Sequence, residues 1–349
     1  IKCKQDFFYF TKYVTVPIGT KEVPFSELIY EKQKDLVKLI LNKHYVIVNK
    51  SRQIGCSFVI QAFIAWLVLF HNNLNVGVIS RKGPEATDFN RKIMRIINNV
   101  PLWLTGHKKI EERYIKYTEQ TFILQNNSGV TCDCVSLSNP ENVLRGKTLH
   151  FLVIDEAAFI RKIDIAYAAI MPATFKAHQD MAKQGLPYGV VIISTPNGKE
   201  GTGEWFYKMW EQAKRGENNF TPIEIHYSEA PFATKEWVDS LKPTMTELQW
   251  MQEMELLFVS SSDSLFEPET LEKVSKGIMP PLETDVKTFE LPSVGTFSVT
   301  YKKWYRNLER DIEPRYDTIV IGVDCASALG GLSNSAIEIW GVQHVSGEQ

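Results

Sequence analysis

The chain has 349 residues, of which 44% are hydrophobic and 23% charged, a globular composition with enough apolar side chains for about two domains. Because its formal net charge is −2, the chain as a whole does not attract nucleic acid, and binding to nucleic acid would require a local basic face. The five cysteines lack C-x-x-C spacing, which argues against a disulfide framework or a structural zinc site and favours a reducing, intracellular setting.

Short β-branched runs alternate with longer helical patterns along the first part of the chain. Nearly continuous apolar runs predict strands buried on both faces at residues 45–49, 75–80, 151–155 and 190–194. Helical patterns lie at roughly residues 28–42, 57–71, 84–99, 163–183 and 203–215. This alternation predicts an α/β domain with a mainly parallel sheet. The most apolar helix, with a run of about 13 residues, is too short to cross a membrane.

A hairpin and a change of composition complete the predicted organisation. Residues 121–125 and 130–135, joined through a polar turn, predict a hairpin inserted before the third strand. Residues 217–260 predict a mostly helical appendage, and the serine-rich and proline-bearing stretch over 263–316 predicts a connector rather than more sheet. Two further strands are predicted at residues 317–324 and 335–343, where they open a separate sheet.

The segment KSRQIGCSF joins the first of these apolar strands to an apolar helix, which is the context of a P-loop. The pattern G-x-x-x-x-G-K-[ST] is only partly kept, because Gly55 and Ser57 match but Lys50 replaces the first glycine and Cys56 the lysine. Gly55 allows close backbone approach to phosphate, and Ser57 offers a hydroxyl to Mg²⁺. The missing positive charge must come from Lys50 or Arg52, of which Arg52 is preferred. For this segment alone, the alternative is a tight turn with two surface cations.

Adjacent carboxylates end the third strand, at the edge where open α/β sheets bind ligands. We expect Asp155 to hold Mg²⁺ through water, and Glu156 to orient or deprotonate the water that attacks the γ-phosphate. The alternative is a strand that ends in a solvated turn. The fourth strand ends in STPNG, which places Ser194, Thr195 and Asn197 beside the same edge, either to sense the γ-phosphate or to form an ordinary turn.

Five motifs, in this order and at this spacing, resemble the large terminase subunit of tailed bacteriophages. They are SRQIGCS, NVLRGKTLHFLVIDEAAFI, IISTPNG, FVSSSDSLF and VIGVD, and the resemblance covers nearly the whole chain from about residue 25. In that family an ATPase domain moves double-stranded DNA into a procapsid, and an RNase H-like nuclease domain cuts concatemeric DNA. The resemblance implies an ATPase domain at 1–262, a linker at 263–316 and the truncated beginning of a nuclease domain at 317–349.

The resemblance also assigns roles to single residues. Gln33 matches the family's adenine-recognising glutamine, Arg145 its arginine finger, and Ser194 with Thr195 its coupling motif. Without the family, Gln33 is a polar residue on an amphipathic helix and Arg145 a solvent-exposed loop residue. The predicted catalytic residues are Glu156, Arg52 and Arg145. The predicted nucleotide-binding residues are Gln33, Lys50, Ser51, Arg52, Gln53, Gly55, Cys56, Ser57, Ser194 and Thr195.

The implied cofactors are ATP and Mg²⁺, with Mg²⁺ or Mn²⁺ for the nuclease. Ser57 and Asp155 are the predicted ligands of the ATPase magnesium, and Asp324 the predicted first ligand of the nuclease. The family commonly has a second acid near the position of Asn334, and its other ligands come from later strands. We therefore expect this chain not to cleave DNA by itself.

The implied partners are double-stranded DNA, a portal protein, the small terminase subunit and further copies of the chain in a ring docked on the procapsid. No membrane is implied, and the setting is the host cell cytoplasm. The best candidate for a DNA-binding face is a group of cations after the second strand, for which a solvated helix surface is the alternative. Its members are Arg81, Lys82, Arg91, Lys92 and Arg95.

Two other functions fit parts of the sequence. A superfamily 2 helicase-like translocase shares motifs similar to DEAA and STP, but it requires a second RecA-like domain with a late glycine- and arginine-rich motif, which residues 217–316 lack. An ATPase-dead scaffold that binds nucleotide or DNA is favoured by Cys56 and disfavoured by the joint presence of Asp155, Glu156 and Arg145. Compensation by Lys50 or Arg52 is the preferred interpretation, because the family resembles deviant P-loop proteins with an early basic residue.

Overall fold

A computed structural model describes residues 1–259 and four strands beyond them, and its contacts divide the chain into two units, Ile1–Pro268 and Glu269–Gln349. The helices are α1 (Lys2–Gln5), α2 (Phe7–Phe10), α3 (Phe25–Leu28), α4 (Glu31–Lys43), α5 (Cys56–Phe70), α6 (Gly83–Asn99), α7 (Leu102–Thr105), α8 (Ile163–Lys183), α9 (Glu204–Arg215), α10 (Lys235–Leu241) and α11 (Glu247–Glu253). The strands of the first unit are β1 (Thr15–Ile18), β2 (Lys21–Pro24), β3 (Tyr45–Lys50), β4 (Asn75–Ser80), β5 (Tyr114–Tyr117), β6 (Thr121–Leu124), β7 (Gly129–Cys134), β8 (Phe151–Asp155), β9 (Gly189–Ser194) and β10 (Thr221–Ile225).

An eight-stranded sheet forms the centre of the first unit, in the order β10-β3-β9-β8-β4-β7-β6-β5. The strands from β10 to β7 pair in parallel, and β6 and β5 continue the sheet antiparallel. Every residue of β8 and β9 is buried, as expected for strands with helices on both faces. The predicted α/β fold with a mainly parallel sheet is confirmed, as is the hairpin of β6 and β7.

The two faces of the sheet carry separate hydrophobic cores. Along β3, Val46 and Val48 pack in one core with α5 and α6, whereas Ile47 points into the other with α8 and α9, as strand alternation requires. Helix α5 contacts α1, α2, α4 and α6, which explains why nearly all of its side chains are apolar. None of the described helices is long and apolar enough to cross a membrane.

Two segments differ from their prediction. Residues Thr221–Ile225 lie in the segment predicted to be mostly helical, but they form β10, which pairs in parallel with β3 at the sheet edge. The stretch predicted as a connector contains β11 (Glu283–Leu291) and β12 (Gly295–Lys303), which form an antiparallel pair, so the expectation of no further sheet there is wrong. The prolines at 280, 281 and 292 lie outside these strands, and the alternation within TDVKTFEL was the relevant signal.

The second unit also contains β13 (Thr318–Asp324) and β14 (Ala336–Val342), which pair antiparallel as predicted, with Asp324 opposite Ala336. The position of Asp324 at a strand end is described, whereas its side chain, Asn334 and most of FVSSSDSLF lie outside the described residues. The nuclease role of Asp324 and the domain boundary near residue 262 therefore stay predictions.

A buried histidine on α8 makes the stability of the first unit dependent on pH. His178 is 3% exposed, its Nδ1 lies 2.9 Å from the Tyr45 hydroxyl, and its Nε2 has no hydrogen-bond partner among the described residues. Burial, followed by His150 and His44, lowers the pKa of His178 from 6.5 to about 4. The unfolded chain then binds a proton at a higher pH than the folded one, so stability falls as pH drops from 6.5 toward 4.

Between pH 7 and pH 5, the native protein is expected to lose about 2 kcal/mol more unfolding free energy than His178→Gln, which lacks the titrating group. Urea unfolding at the two pH values measures this difference, because other titrating groups are shared by both proteins. Equal losses in the two proteins contradict the assignment.

Candidate functional site

The carboxyl ends of four neighbouring parallel strands form one edge of the sheet. In spatial order these strands are β3, β9, β8 and β4, which end at Lys50, Ser194, Asp155 and Ser80. A cavity of about 450 Å³ opens at this edge, where open α/β sheets bind ligands. Of the residues predicted from the sequence to form the site, those lining the cavity are Arg52, Ser57, Asp155, Glu156 and Thr195.

The loop between β3 and α5 has the backbone shape that phosphate binding requires. Gly55 is the N-cap of α5, with φ 78° and ψ 7°, and no side chain caps the helix there. The first N–H groups of a helix have no intrahelical acceptor and carry its positive dipole end, so they are available to an anion. Ser57 lies in this first turn and also lines the cavity.

Gly55→Ala is expected to lower the unfolding free energy by about 1–3 kcal/mol and to weaken nucleotide binding at least tenfold. Alanine is strained at φ 78°, and its Cβ would lie 3.0 Å from Gln33 Nε2. Gly106→Ala is the matched control, since Gly106 has φ 74° and no atom within 4 Å of an added Cβ. Urea unfolding and nucleotide titration of both variants separate backbone strain from the local collision. An equal loss of nucleotide affinity in the control contradicts the argument.

The start of the loop is held by the segment that follows β10. The Ser51 N–H donates to Ile225 O at 2.9 Å, and the Arg52 N–H to Glu253 O at 2.8 Å. The Ser51 hydroxyl donates to Met254 O at 2.6 Å and accepts from the Tyr227 N–H at 2.9 Å. Ser51 is fully buried and does not line the cavity. Ser51 therefore stabilises the start of the loop through these hydrogen bonds, whereas the sequence predicted that it contacts the nucleotide.

A hydroxyl and a carboxylate lie next to one another in the wall of the cavity. Ser57 Oγ lies 3.4 Å from Asp155 Oδ1. Burial, followed by the neighbouring Glu156, raises the pKa of Asp155 to about 7, against the opposing effects of Lys50 and Ser57. Paired hard oxygen donors of this kind suit Mg²⁺, so these residues fit the metal that the sequence predicts.

Lys50 is not among the residues that line the cavity, but it places a positive charge directly beside Glu156, which does line it. Its Nζ lies 2.9 Å from Glu156 Oε1, and its side chain is 6% exposed. Burial alone lowers the pKa of Lys50, but Glu156 and Asp155 raise it overall, so the lysine remains charged. Burial raises the pKa of the Cys56 thiol to about 12, so Cys56 is neutral and supplies no charge in place of the usual lysine.

Arg52 occupies the rim of the cavity rather than its interior. Its side chain is 58% exposed, and Nη1 lies 2.5 Å from Glu253 Oε2 at the end of α11. From the sequence, Arg52 was preferred over Lys50 as the cation that replaces the P-loop lysine. In the structure Lys50, and not Arg52, is buried beside the two carboxylates. Gln53, the next loop residue, has a left-handed φ of 59° and is not among the cavity-lining residues.

The end of β9 fixes the turn that follows the two acids. Glu156 has φ 53° and ψ 43°, an unfavourable conformation for a residue with a side chain. Two residues later, the Ala158 N–H donates to Ser194 Oγ at 3.1 Å, and Asn197 Nδ2 donates to Ala158 O at 2.9 Å. Ser194 is fully buried, so its observed role is to hold this turn, whereas Thr195 lines the cavity.

Gln33 lies behind the loop, with 4% exposure. Its Nε2 donates to Ile54 O at 3.0 Å, and the Tyr30 hydroxyl donates to the same carbonyl at 2.9 Å. Gln33 Oε1 has no hydrogen-bond partner among the described residues. The sequence indicated no role for Tyr30, because a tyrosine just before a helix usually packs, and its loop contact depends on the fold.

Arg145 is not brought to the cavity of its own chain. It is exposed, and its Nη1 donates to Asn142 Oδ1 at 2.7 Å in a turn between Leu144 and Gly146, both of which have positive φ. The residues that line the cavity do not include Arg145.

The five cations predicted as one DNA-binding face do not form one face. Arg81 and Lys92 line the cavity at the sheet edge together with Glu85 and Asp88, and Arg81 contacts Glu85 through both Nε and Nη2. Arg91 and Arg95 line a second cavity on another side of α6. Because an α-helix has 3.6 residues per turn, the cations of α6 form two rows on different sides of the helix, one with Lys92 and one with Arg91 and Arg95. Grouping the cations by their proximity in sequence overlooked this separation.

The family model for the terminase large subunit, T4likevirus-type, N-terminal, matches residues 47–273. The chain is also similar to the tripartite terminase subunit 3 of equine herpesvirus 2 (strain 86/87), with 30% identity over 181 residues. That match covers 51% of this chain but only 22% of the length of the herpesvirus protein.

Two solved structures share the fold. The large terminase from the thermophilic bacteriophage D6E in complex with ADP superposes with a TM-score of 0.51 at 14% identity, over 80% of this chain and 66% of that one. A variant of the Thermus phage P74-26 large terminase ATPase domain gives a TM-score of 0.50 at 17% identity, over 66% of this chain and 94% of that one. Since the family model matches more than half of the chain and the motif resemblance is confirmed, the chain belongs to the terminase large subunit family.

Proposed function

We propose that the chain is the ATP-hydrolysing motor of a viral DNA-packaging machine, which couples hydrolysis to movement of double-stranded DNA into a procapsid. The observation that carries the proposal is the approach of Ser57 Oγ to Asp155 Oδ1, at 3.4 Å, beneath the N-terminus of α5. A hydroxyl from the first helical turn beside a carboxylate from the neighbouring strand is the arrangement that holds Mg²⁺–ATP in P-loop enzymes. Membership of the terminase large subunit family supports this assignment.

The adenine end of the nucleotide is placed near Gln33. Its Oε1 is buried and has no hydrogen-bond partner in the described part of the chain, so it offers an acceptor to an amino group such as that of adenine. The amide nitrogen of the same side chain holds the Ile54 carbonyl, one residue before Gly55. Base recognition and the shape of the phosphate loop therefore depend on one side chain.

Ser57 and Asp155 would hold the magnesium ion, which when bound neutralises charge on the β- and γ-phosphates. The remaining residues then have separate tasks. The α5 amides bind phosphate oxygens, and Glu156 orients the attacking water and accepts its proton. Lys50 supplies the nearest buried cation, since it is charged and paired with Glu156 at the cavity wall, whereas Arg52 adds a second cation only if it leaves Glu253.

Lys50 and Glu156 depend on one another. Without nucleotide, the buried ammonium is neutralised by Glu156 at 2.9 Å, as a buried charge requires. Phosphate oxygens offer Lys50 a stronger partner, which frees the Glu156 carboxylate for water. In this way nucleotide binding itself makes the general base available.

Arg145 acts in a neighbouring copy of the chain. Its exposure and its separation from the cavity of its own chain support a charge supplied across a subunit boundary in a ring. Double-stranded DNA, a portal protein, the small terminase subunit and a procapsid in the host cell cytoplasm are the proposed partners and setting. Asp324 is proposed as the first ligand of a nuclease site whose other ligands lie on later strands.

Steady-state ATP hydrolysis by the full chain, with Mg²⁺ and with or without linear double-stranded DNA, tests the proposal. We expect hydrolysis that DNA stimulates and that Asp155→Asn abolishes. Hydrolysis without any response to DNA would support an ATPase that is not a DNA motor. Nucleotide binding without hydrolysis under either condition would support the ATPase-dead scaffold instead.

A further inference from the structure

A second cavity, of about 460 Å³, lies between the later turns of α6 and the turn that joins β5 to β6. We call it the α6 cleft. The lining residues that matter for its chemistry are Arg91, Arg95, Asn98, Asn99, Tyr117 and Glu119. The cleft is separate from the nucleotide cavity, since the two share no lining residue.

The positive charge of the α6 cleft is available to a ligand. Arg95 is exposed and makes no ion pair with any described residue. Arg91 has a side chain that is 69% exposed, and Asp88, at 3.6 Å, is its one carboxylate partner among the described residues. The two arginines are four residues apart on one helix, so their side chains project from the same face. Glu119, on the opposite wall of the α6 cleft, is the negatively charged residue among the lining residues named above.

The polar groups beside these arginines are hydrogen-bond donors. Asn98 Oδ1 accepts from the Tyr114 hydroxyl at 2.6 Å, which leaves the Asn98 amide nitrogen as the group free for a ligand. Tyr117, with 66% exposure, adds a hydroxyl and an aromatic face at the rim. Two guanidinium groups beside a fixed amide donor are complementary to a ligand that carries several negative charges and accepts hydrogen bonds.

The α6 cleft is formed by well-fixed elements. The buried Arg113 donates to Ile97 O, and at 2.7 Å to Val100 O, which holds the C-terminal end of α6. On the other wall, Asn90 Nδ2 donates to Glu119 O at 2.9 Å and ties the β5–β6 turn to the helix. A ligand therefore meets a cleft that needs little rearrangement.

Asp88 links the α6 cleft to the nucleotide cavity. It lies 2.8 Å from Lys92, which lines the nucleotide cavity, and 3.6 Å from Arg91, which lines the cleft. An anion that binds Arg91 competes with Asp88 for it. The freed carboxylate then interacts more strongly with Lys92, so α6 provides a short physical connection between the two sites.

We propose that the α6 cleft binds the phosphodiester backbone of double-stranded DNA through Arg91, Arg95 and the amide of Asn98. The choice of double-stranded DNA as the polyanion rests on the proposed function, whereas the cleft, its charge and its donors do not. Contacts to the backbone alone are independent of sequence, and each phosphate contact releases counterions and makes binding sensitive to salt.

The test is DNA binding by Arg91→Gln/Arg95→Gln, measured by fluorescence anisotropy of a labelled duplex from 50 to 300 mM salt. We expect affinity to fall about 10- to 100-fold at the lowest salt, and the slope of log K against log salt to fall by about 0.9 for each lost contact. Lys82→Gln/Lys116→Gln is the matched control, since it removes two exposed lysines that line neither the cleft nor the nucleotide cavity. Its slope is expected to stay within 0.5 of that of the native chain.

Equal slopes in the two double variants would overturn the proposal, because binding would then depend on overall charge. Tighter binding of a single strand of the same length than of the duplex would overturn the choice of ligand. The double arginine variant is also expected to keep basal ATP hydrolysis while losing its stimulation by DNA. If the native chain shows no basal ATP hydrolysis, the proposed function is wrong. The salt slopes of the variants still show whether the α6 cleft binds the DNA backbone.

Discussion

Glu156→Gln is expected to lower kcat for ATP hydrolysis by about 10²- to 10⁴-fold, while KM for Mg²⁺–ATP changes only a few-fold. Glutamine keeps the shape of the side chain but cannot accept a proton from the attacking water. The position is well defined, because the hydrogen bonds of Ser194 and Asn197 to Ala158 hold the turn in which Glu156 has a positive φ. The loss should therefore lie in the chemical step.

Steady-state kinetics, with nucleotide affinity measured separately, distinguish this loss from a binding defect. Glu85→Gln is the matched control, because Glu85 lines the same cavity but is bound to Arg81. We expect it to retain kcat within about tenfold of the native value. A similar kcat for both variants and the native chain would exclude Glu156 as the general base.

Lys50→Met is expected to lower kcat/KM by about 10²- to 10³-fold, comparable with the loss of a preorganised charge in other active sites. Methionine fills a similar volume without charge, and it leaves Glu156 unpaired in a partly buried position. Arg52→Met is expected to lose less than tenfold, because Arg52 is largely exposed and bound to Glu253. These two expected results reverse the order of importance that the sequence suggested for the two cations.

The two cations are separated by comparing both single variants with Lys50→Met/Cys56→Lys. The added lysine stands at the position of the usual P-loop lysine, so we expect it to recover at least tenfold of the lost kcat/KM. Urea unfolding of each variant shows whether the fold is retained. A larger loss in Arg52→Met than in Lys50→Met would restore Arg52 as the principal cation.

The elements that shape the site were predictable because their sequence signals are local. The strands that end at Lys50, Asp155 and Ser194 are runs of apolar β-branched residues, and they were predicted within one residue of their observed ends. Their parallel arrangement follows from the helices between them, and it brings the P-loop and the two acids to one edge.

The partners of the loop were not predictable, because they are distant in sequence. Glu253 lies 201 residues from Arg52, and Met254 lies 203 residues from Ser51. Pairings of this kind depend on the path of the whole chain, and β10, which carries the chain back to β3, is a five-residue strand with an internal proline. The division of the basic residues of α6 into two rows, by contrast, was available from helical periodicity.

The hydrogen bonds at Ser51 and Arg52 have a practical consequence for defining a minimal ATPase fragment. A fragment that ended after α9 would retain every nucleotide-binding motif recognised in the sequence. It would lack the acceptors Ile225 O, Glu253 O and Met254 O, so the first two loop amides and the Ser51 hydroxyl would be left unsatisfied. Expression boundaries chosen from motifs alone would therefore yield a domain whose phosphate loop lacks these contacts, and a fragment that keeps them must extend through at least residue 254.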